Sequence, residues 1–473
     1  MQQDTRIVEA ETNISEFPKK NIRSVERPES LADLQQLIQN SNHSKTPLYV
    51  TSTGKNWGLG SKQPVTEQNS VVVLERMKRI IEVNSNYRYA IIEPGVTQKQ
   101  LSDYLVAHHP QLKFPMTGSA ENTSIIGNML ERGAAFGHRN KYLIAMEILL
   151  ASGKLVKTGL WHYFKDNNPL AFHYPFGHGP DLRGLFTQSN LGITTKMVIR
   201  LQRINNPQIL TINFAEDHLQ TITDTLRTLH EQHILDDGIL ITNLNDPRTT
   251  SDQNYSYNKQ WCAFANFSGD QDFIQLKRKK IDQALHPFKD ALHFLPNQPT
   301  ATAQHPYHNI LIKAFQGIPT NYSLETMAEI TNTKLDNDEI DLNAKVVGLV
   351  SCLPAVPFEG KRLLEVKALV DQISQQLEVT AYHNFASVDE LTFEGFYRIY
   401  FDREDPDAVE KAHVWHKKVH CLLKENGFLP YRIDNPSMQL FSNKDDNYWQ
   451  LIAQLKTQLD PNNIISPKKY NLI

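Results

Sequence analysis

Thr51-Ser52-Thr53-Gly54-Lys55-Asn56-Trp57-Gly58-Leu59-Gly60-Ser61 follows the strand-like run Leu48-Tyr49-Val50, and the fold turns on how this loop is read. Three glycines and several hydroxyl side chains in so short a span expose backbone N–H groups that can converge on an anion. Such a nest suits a pyrophosphate. The loop is not a Walker A sequence, which closes on Gly-Lys-Ser/Thr, nor is it Gly-x-Gly-x-x-Gly. Taken alone it reads equally well as a surface turn.

Working outward, glycine segments recur through the leading part of the chain. They are Glu93-Pro94-Gly95-Val96-Thr97, Gly118-Ser119-Ala120 leading into Ile126-Gly127-Asn128, Arg132-Gly133-Ala134-Ala135-Phe136-Gly137, and the stretch from Phe176 to Lys196. Repeated glycines at strand ends let the backbone approach a long ligand. One loop serves one phosphate; several in series fit an extended dinucleotide.

The rest of the chain sets bounds. With 473 residues, two substantial domains are expected. Lys+Arg 49 against Asp+Glu 52 gives a net charge of −3, which offers no bulk attraction to nucleic acid or anionic membrane. Cys262, Cys352 and Cys421 are too far apart for a disulfide framework or a Cys-x-x-Cys site, so no metal site is expected. The amino terminus has no secretory pattern and no apolar run approaches the ~20 residues of a spanning helix. The expectation is a soluble, cytoplasmic protein.

Helix and strand signals alternate without even βαβ spacing up to about residue 205, which argues for an α+β layout. Ser30 to Gln39 reads as a helix capped by Ser30, and Val71-Val72-Val73-Leu74 and Ala90-Ile91-Ile92 as buried strands. From about 206 glycines thin out. Helical patterns (His218 to His230, Phe273 to Leu285, Leu363 to Leu377) alternate with strand-like Trp261 to Phe267, Lys345 to Leu353 and Thr392 to Phe401. A second domain with an antiparallel sheet backed by helices is expected there.

The glycine segments above, with Gly179-Pro180, Gly184-Leu185-Phe186-Thr187-Gln188-Ser189-Asn190 and the closing Asp460-Pro461-Asn462-Asn463-Ile464, resemble the vanillyl-alcohol oxidase and p-cresol methylhydroxylase family of flavoproteins. The likeness is close from about 27 to 203, weaker in the middle, and clear again near 429–468. It implies a two-part FAD-binding domain of the p-cresol methylhydroxylase type, formed by 1–205 and a returning segment 431–473, with a cap domain at 206–430. By matching position, FAD contacts would come from Ser52, Thr53, Gly54, Lys55 and Asn56 around the pyrophosphate. Pro94, Gly95, Gly118, Ser119, Gly127, Asn128 and Ile193 would add a further layer. Tyr431-Arg432 matches the pair that holds the substrate oxygen in phenol-oxidising members. Neighbours on a regular strand point oppositely, so both reach one oxygen only on irregular backbone, for which Pro430 is a reason. The alternative is a core tyrosine and a surface arginine.

Three departures from the family pattern follow. Leu59 stands where phenol oxidisers carry a second phenolate-binding tyrosine. A shortened loop after Arg132-Gly133 puts His138 where an active-site carboxylate sits near flavin N5, and a histidine can accept a substrate proton there. Alternatively, His138 is a solvated loop residue flanked by Arg139. The stretch Leu335 to Asn343, matching the region that tethers the flavin, contains no His, Tyr or Cys, so FAD is expected to be non-covalent.

The resemblance therefore implies an FAD-linked oxidase or dehydrogenase moving hydride from a substrate C–H (alcohol or 4-alkylphenol type) to flavin N5. His138, Tyr431 and Arg432 would be its catalytic residues. Its partners would be a small-molecule substrate and O2 or a protein electron acceptor, with a homodimer among the expected assemblies and no nucleic acid or membrane. Two other readings stay open: a flavin enzyme for a non-phenolic alcohol, amine or carboxylated intermediate, and a flavin-binding protein without turnover.

Overall fold

The computed structural model describes residues 4–133, 139–205, 207–246, 261–295, 306–330 and 347–473. In the leading part, three parallel strands, Ile22–Glu26, Asn69–Val73 and Leu48–Thr51, form a small sheet with Asn69–Val73 in the centre. The central strand is buried at every position, as a strand covered on both faces requires. The helix Leu31–Ser44 packs beside it through Leu34 and Ile38, and Ser30 caps it in a capping box with Asp33.

A second, antiparallel sheet runs Ile80–Asn84, Tyr89–Ile92, Ile193–Arg200, Leu143–Leu149, Leu155–Lys157. Its strands come from 80–92 and from 143–200, on either side of the segment that carries Gly118 and Gly127. That arrangement brings the loop ends near Pro94, Gly127 and Ile193 to one side.

The second half is built on an eight-stranded antiparallel sheet. Its strand Thr392–Phe401 shows how the sequence dictates two faces. Phe393, Tyr397, Ile399 and Phe401 join the large apolar core, while Glu394, Phe396 and Arg398 point the other way. The core face is covered by the helices Leu219–Glu231, Gly360–Gln376 and Pro406–Glu425. Each contributes residues at helical spacing, such as Leu363, Val366, Val370 and Ile373. The mixed α+β class, with a large antiparallel sheet backed by helices, agrees with the sequence reading.

The carboxy-terminal segment returns to the first half. Leu48 N–H donates to the Ile464 carbonyl at 2.6 Å and Ser466 N–H to the Leu48 carbonyl at 2.7 Å. The Asp460-Pro461-Asn462-Asn463-Ile464 sequence has a physical job here. The Asp460 carboxylate accepts from the N–H groups of Ile464 and Ile465 and from Lys456 Nζ, and Lys456 and Asp460 are both fully buried. The tail runs through turns, with Ile465 bridging to Leu48. At the other end, Ser15 and Ile14 hydrogen-bond to Leu349 of the large sheet, and Phe17 sits in the core of that second half. No described helix is long and apolar enough to cross a membrane.

Candidate functional site

A cavity of about 440 Å³ lies between the glycine loops and the free face of the large sheet. All the residues expected to touch the cofactor line it except Gly95. Gly95 serves packing instead: a Cβ there would lie 2.5 Å from the Glu75 carbonyl oxygen. Its buried N–H donates to the Met77 carbonyl, so the glycine lets two backbones touch.

Around the loop 52–56 the geometry is tight. Gly54 has φ +69, and a Cβ there would come 2.4 Å from Lys62 Cγ. A Cβ on Gly127 would come 2.1 Å from Ser52 Oγ. Ser124, which caps the helix Ile125–Leu130, receives Gly127 N–H on its Oγ and donates that hydroxyl to the Pro94 carbonyl at 2.6 Å. Its N–H reaches Thr53 Oγ1 at 3.3 Å. Three separated glycine segments are thereby fastened into one wall. Gly118 is different, with nothing within 4 Å of its Cβ position, so its backbone is open to the cavity.

Tyr431 and Arg432 both line the cavity, on irregular backbone following a single bridge between Pro354 and Pro430. Tyr431 N–H donates to Leu353 O at 3.0 Å, and its ring packs against Phe396 at 6.1 Å. Burial, helped by the nearby Glu394 carboxyl, pushes the Tyr431 phenol well above its ordinary range, so it remains a donor. Arg432 Nη2 donates to Asn56 Oδ1, while its Nε is buried without a partner among the described residues. An orphaned guanidinium nitrogen is costly unless an acceptor arrives.

Several members of the site gave no sequence signal. Glu131 is held below the usual carboxylate range because Lys469 and Arg432 outweigh the effect of burial, and Tyr470 Oη donates to it at 2.6 Å. Glu394 goes the other way: burial raises its carboxyl to about 8 against a modest pull from Arg432. Arg139, read as a loop flank, is instead fully buried. It donates to Asn128 Oδ1, Gln98 Oε1 and the Pro115 carbonyl, which fixes the cavity-lining Asn128. Burial lowers its guanidinium to about 9. Arg398, with Asp246 beside it, comes from the sheet face and lines the same cavity. All of these are single charged residues whose role depends on what folds next to them.

His138, the expected proton acceptor, and 335–343, the expected tether region, lie outside the described residues. Where no metal site was expected, Cys352, His416 and His420 converge, buried, with their donor atoms within 4.8 Å of one another. Hydrogen bonds already engage the group: His416 Nε2 meets Asp434 Oδ2 at 3.0 Å, and His420 Nδ1 meets the His416 carbonyl at 3.0 Å. Cys352 Sγ lies 3.1 Å from the same Nδ1. The cluster anchors Asp434, three residues beyond Tyr431.

The cavity fits a flavin dinucleotide on the grounds just given: a glycine cradle that a single Cβ would fill, and a guanidinium in its lining with one buried donor unpartnered among the described residues. Comparison with known proteins agrees. The FAD binding domain family matches residues 22–159. The 1'-carboxy-chondrochloren decarboxylase of Chondromyces crocatus is 28% identical across 95% of this chain and 90% of its own length. The flavoprotein subunit of 4-cresol dehydrogenase (hydroxylating) from Pseudomonas putida is 29% identical across 45% of this chain and 41% of that protein. Among solved structures, 4-ethylphenol oxidase from Gulosibacter chungangensis superposes with a TM-score of 0.86 at 21% identity, covering 99% of this chain and 93% of that one. Substrate-bound p-cresol methylhydroxylase gives 0.86 at 19% identity with the same coverage.

Proposed function

We propose that the chain, which carries an FAD binding domain and shares its fold with 4-ethylphenol oxidase and p-cresol methylhydroxylase, is an FAD oxidoreductase of the vanillyl-alcohol oxidase and p-cresol methylhydroxylase family that removes hydride from the C–H of a small alcohol or 4-alkylphenol type substrate. FAD, when bound, supplies the acceptor chemistry at its N5. The observation that carries the reading is the Tyr431-Arg432 pair, turned by irregular backbone so that both side chains line one cavity. Tyr431 donates its hydroxyl and Arg432 supplies a fixed positive charge. Together they hold a substrate oxygen in its anionic form, which eases loss of hydride from the carbon conjugated to it. His138 accepts the remaining proton.

Ser52, Thr53, Gly54, Lys55 and Asn56 hold the pyrophosphate. Pro94, Gly118, Ser119, Gly127, Asn128 and Ile193 line the rest of the cofactor's bed. Residues 1–205 and 431–473 form the cofactor half and 206–430 the cap. FAD is held without a covalent bond, and O2 or a protein takes the electrons. A second reading, a carboxylated rather than simple phenolic substrate, has support of its own. Leu59 puts carbon in the cavity wall where phenol oxidisers carry tyrosine, and the relative matched over 95% of the chain is named a decarboxylase of a carboxy compound.

Anaerobic titration of the purified yellow protein with 4-alkylphenols and benzylic alcohols tests the proposal. Loss of the oxidised-flavin spectrum with at least one of them is expected. A spectrum unmoved by every one of them would overturn it.

A further inference from the structure

Arg398 is a cation in the cavity wall with one buried donor unspent among the described residues. It is 6% exposed, and its Nε is buried without a partner among the described residues. The nearest carboxylate, Asp246, is fully buried and lies 3.9 Å from that Nε, beyond hydrogen-bonding range. Asp246 accepts instead from Asn384 Nδ2 at 2.9 Å and Tyr400 Oη at 3.3 Å. It supplies counter-charge beside Arg398 without accepting a hydrogen bond from its Nε.

Ser351 stands directly across the sheet from Arg398 and also lines the cavity. Its Oγ is 3.5 Å from the place a Cβ on Gly58 would occupy, so this pair confronts the glycine loop just before Leu59. A neutral ligand would leave the buried Arg398 Nε without an acceptor, which is unfavourable. A carboxylate accepts two N–H bonds from the guanidinium fork. Two residues back along the same face, Phe396 packs on Tyr431, so Arg398 and the Tyr431-Arg432 pair line the cavity from neighbouring positions.

We infer that Arg398, with Ser351, receives a carboxylate of the substrate, and that the substrate is an acid carrying this group apart from the oxygen held at Tyr431 and Arg432. The placement of the oxygen, though not the acid site, rests on the reading of the preceding subsection. Calorimetric titration of the FAD-loaded protein with 3-(4-hydroxyphenyl)propanoate, 3-phenylpropanoate and 4-propylphenol tests it. Both acids bind the unaltered protein. Arg398→Met weakens both by roughly ten- to a hundredfold and leaves 4-propylphenol within about twofold, with Arg398→Lys intermediate.

The inference falls if the acids do not bind, if all three ligands weaken together, or if Arg398→Met loses its FAD, which would place Arg398 with the cofactor. If the acids depend on Arg398 but no phenol reduces the flavin, the acid site stands and the oxygen clamp fails. If phenols reduce the flavin while the acids are indifferent to Arg398, the clamp stands and the acid site fails.

Discussion

Arg432 donates a hydrogen bond to Asn56 across 376 residues of sequence, tying the proposed substrate clamp to the loop proposed to hold the cofactor. The contact fixes one arm of the guanidinium and leaves Nε unanswered in the cavity. Its charge therefore acts at a set position rather than as a mobile cation. Arg432→Met should keep its flavin yet slow substrate-driven bleaching by roughly 10²–10³-fold, the scale of losing one fixed donor to an oxyanion. Stopped-flow reduction under nitrogen measures it. A variant that bleaches at the normal rate removes Arg432 from the chemistry.

Gly127→Ala should strip the protein of FAD. The added methyl would sit 2.1 Å from Ser52 Oγ and push the loop it faces. The 450 nm band per mole of purified protein should fall severalfold, and Ser52→Ala placed in the same chain should restore part of it. Gly153→Ala is the control. It has φ +79 but nothing within 4 Å of the new Cβ, so it costs about 1 kcal/mol of stability and no flavin.

These contrasts bear on what is legible in the sequence. Glycine spacing and the Tyr431-Arg432 string point to the cavity because a close backbone approach demands one residue type, and demands of that kind survive in sequence. The strand Thr392–Phe401 is readable because it is dense in aromatic and β-branched residues. Arg398 and Glu394 sit on that same strand and carry no signal: a charge on the polar side of an alternating strand looks solvated until another part of the fold covers it. Glu131 and Lys469 are invisible for a related reason, since 338 positions separate two halves of one ion pair. Gly95 misleads in the opposite sense, reading as a ligand contact where the demand comes from the Glu75 backbone.

The tail should prove part of the cofactor half. Lys456 Nζ donates to Asp460 at 2.6 Å, to Asn190 O at 2.8 Å and to Ile465 O at 2.6 Å, with no solvent exposure at either charged partner. Lys456→Met leaves a buried carboxylate unpaired and should cost about 3–5 kcal/mol. Adding Asp460→Asn should cost less than the sum of the singles, because the pair acts as a unit. Urea unfolding of the four proteins gives the cycle. Flavin should also be released more readily, since Ile465, Ser466 and Lys469 line the cavity. Additive singles with unchanged FAD retention would contradict this.

Precipitation in acid should leave a white pellet under a yellow supernatant, as a non-covalent flavin requires. A yellow pellet would place a tether among the residues of the cap or the loops.

Glu394 sets a dependence of stability on pH that runs against the usual carboxylate pattern. Burial raises its carboxyl from 4.5 to about 8. Between those values the folded chain keeps a proton that the unfolded chain has released, so stability falls as pH rises through that window, by at most about 1.4 kcal/mol per unit. The loss is absent below the lower value and complete above the upper one. Glu394→Gln keeps the size and removes the titration. The variant and the unaltered protein should melt together near pH 5 and diverge as pH increases, the variant being the more stable by a few kcal/mol at pH 9. Arg432 pulls the Glu394 carboxyl downward, so adding Arg432→Met should move the divergence to higher pH. Differential scanning calorimetry at half-unit steps reads all four proteins, and a melting difference that does not change with pH would show that Glu394 holds no excess proton in the fold.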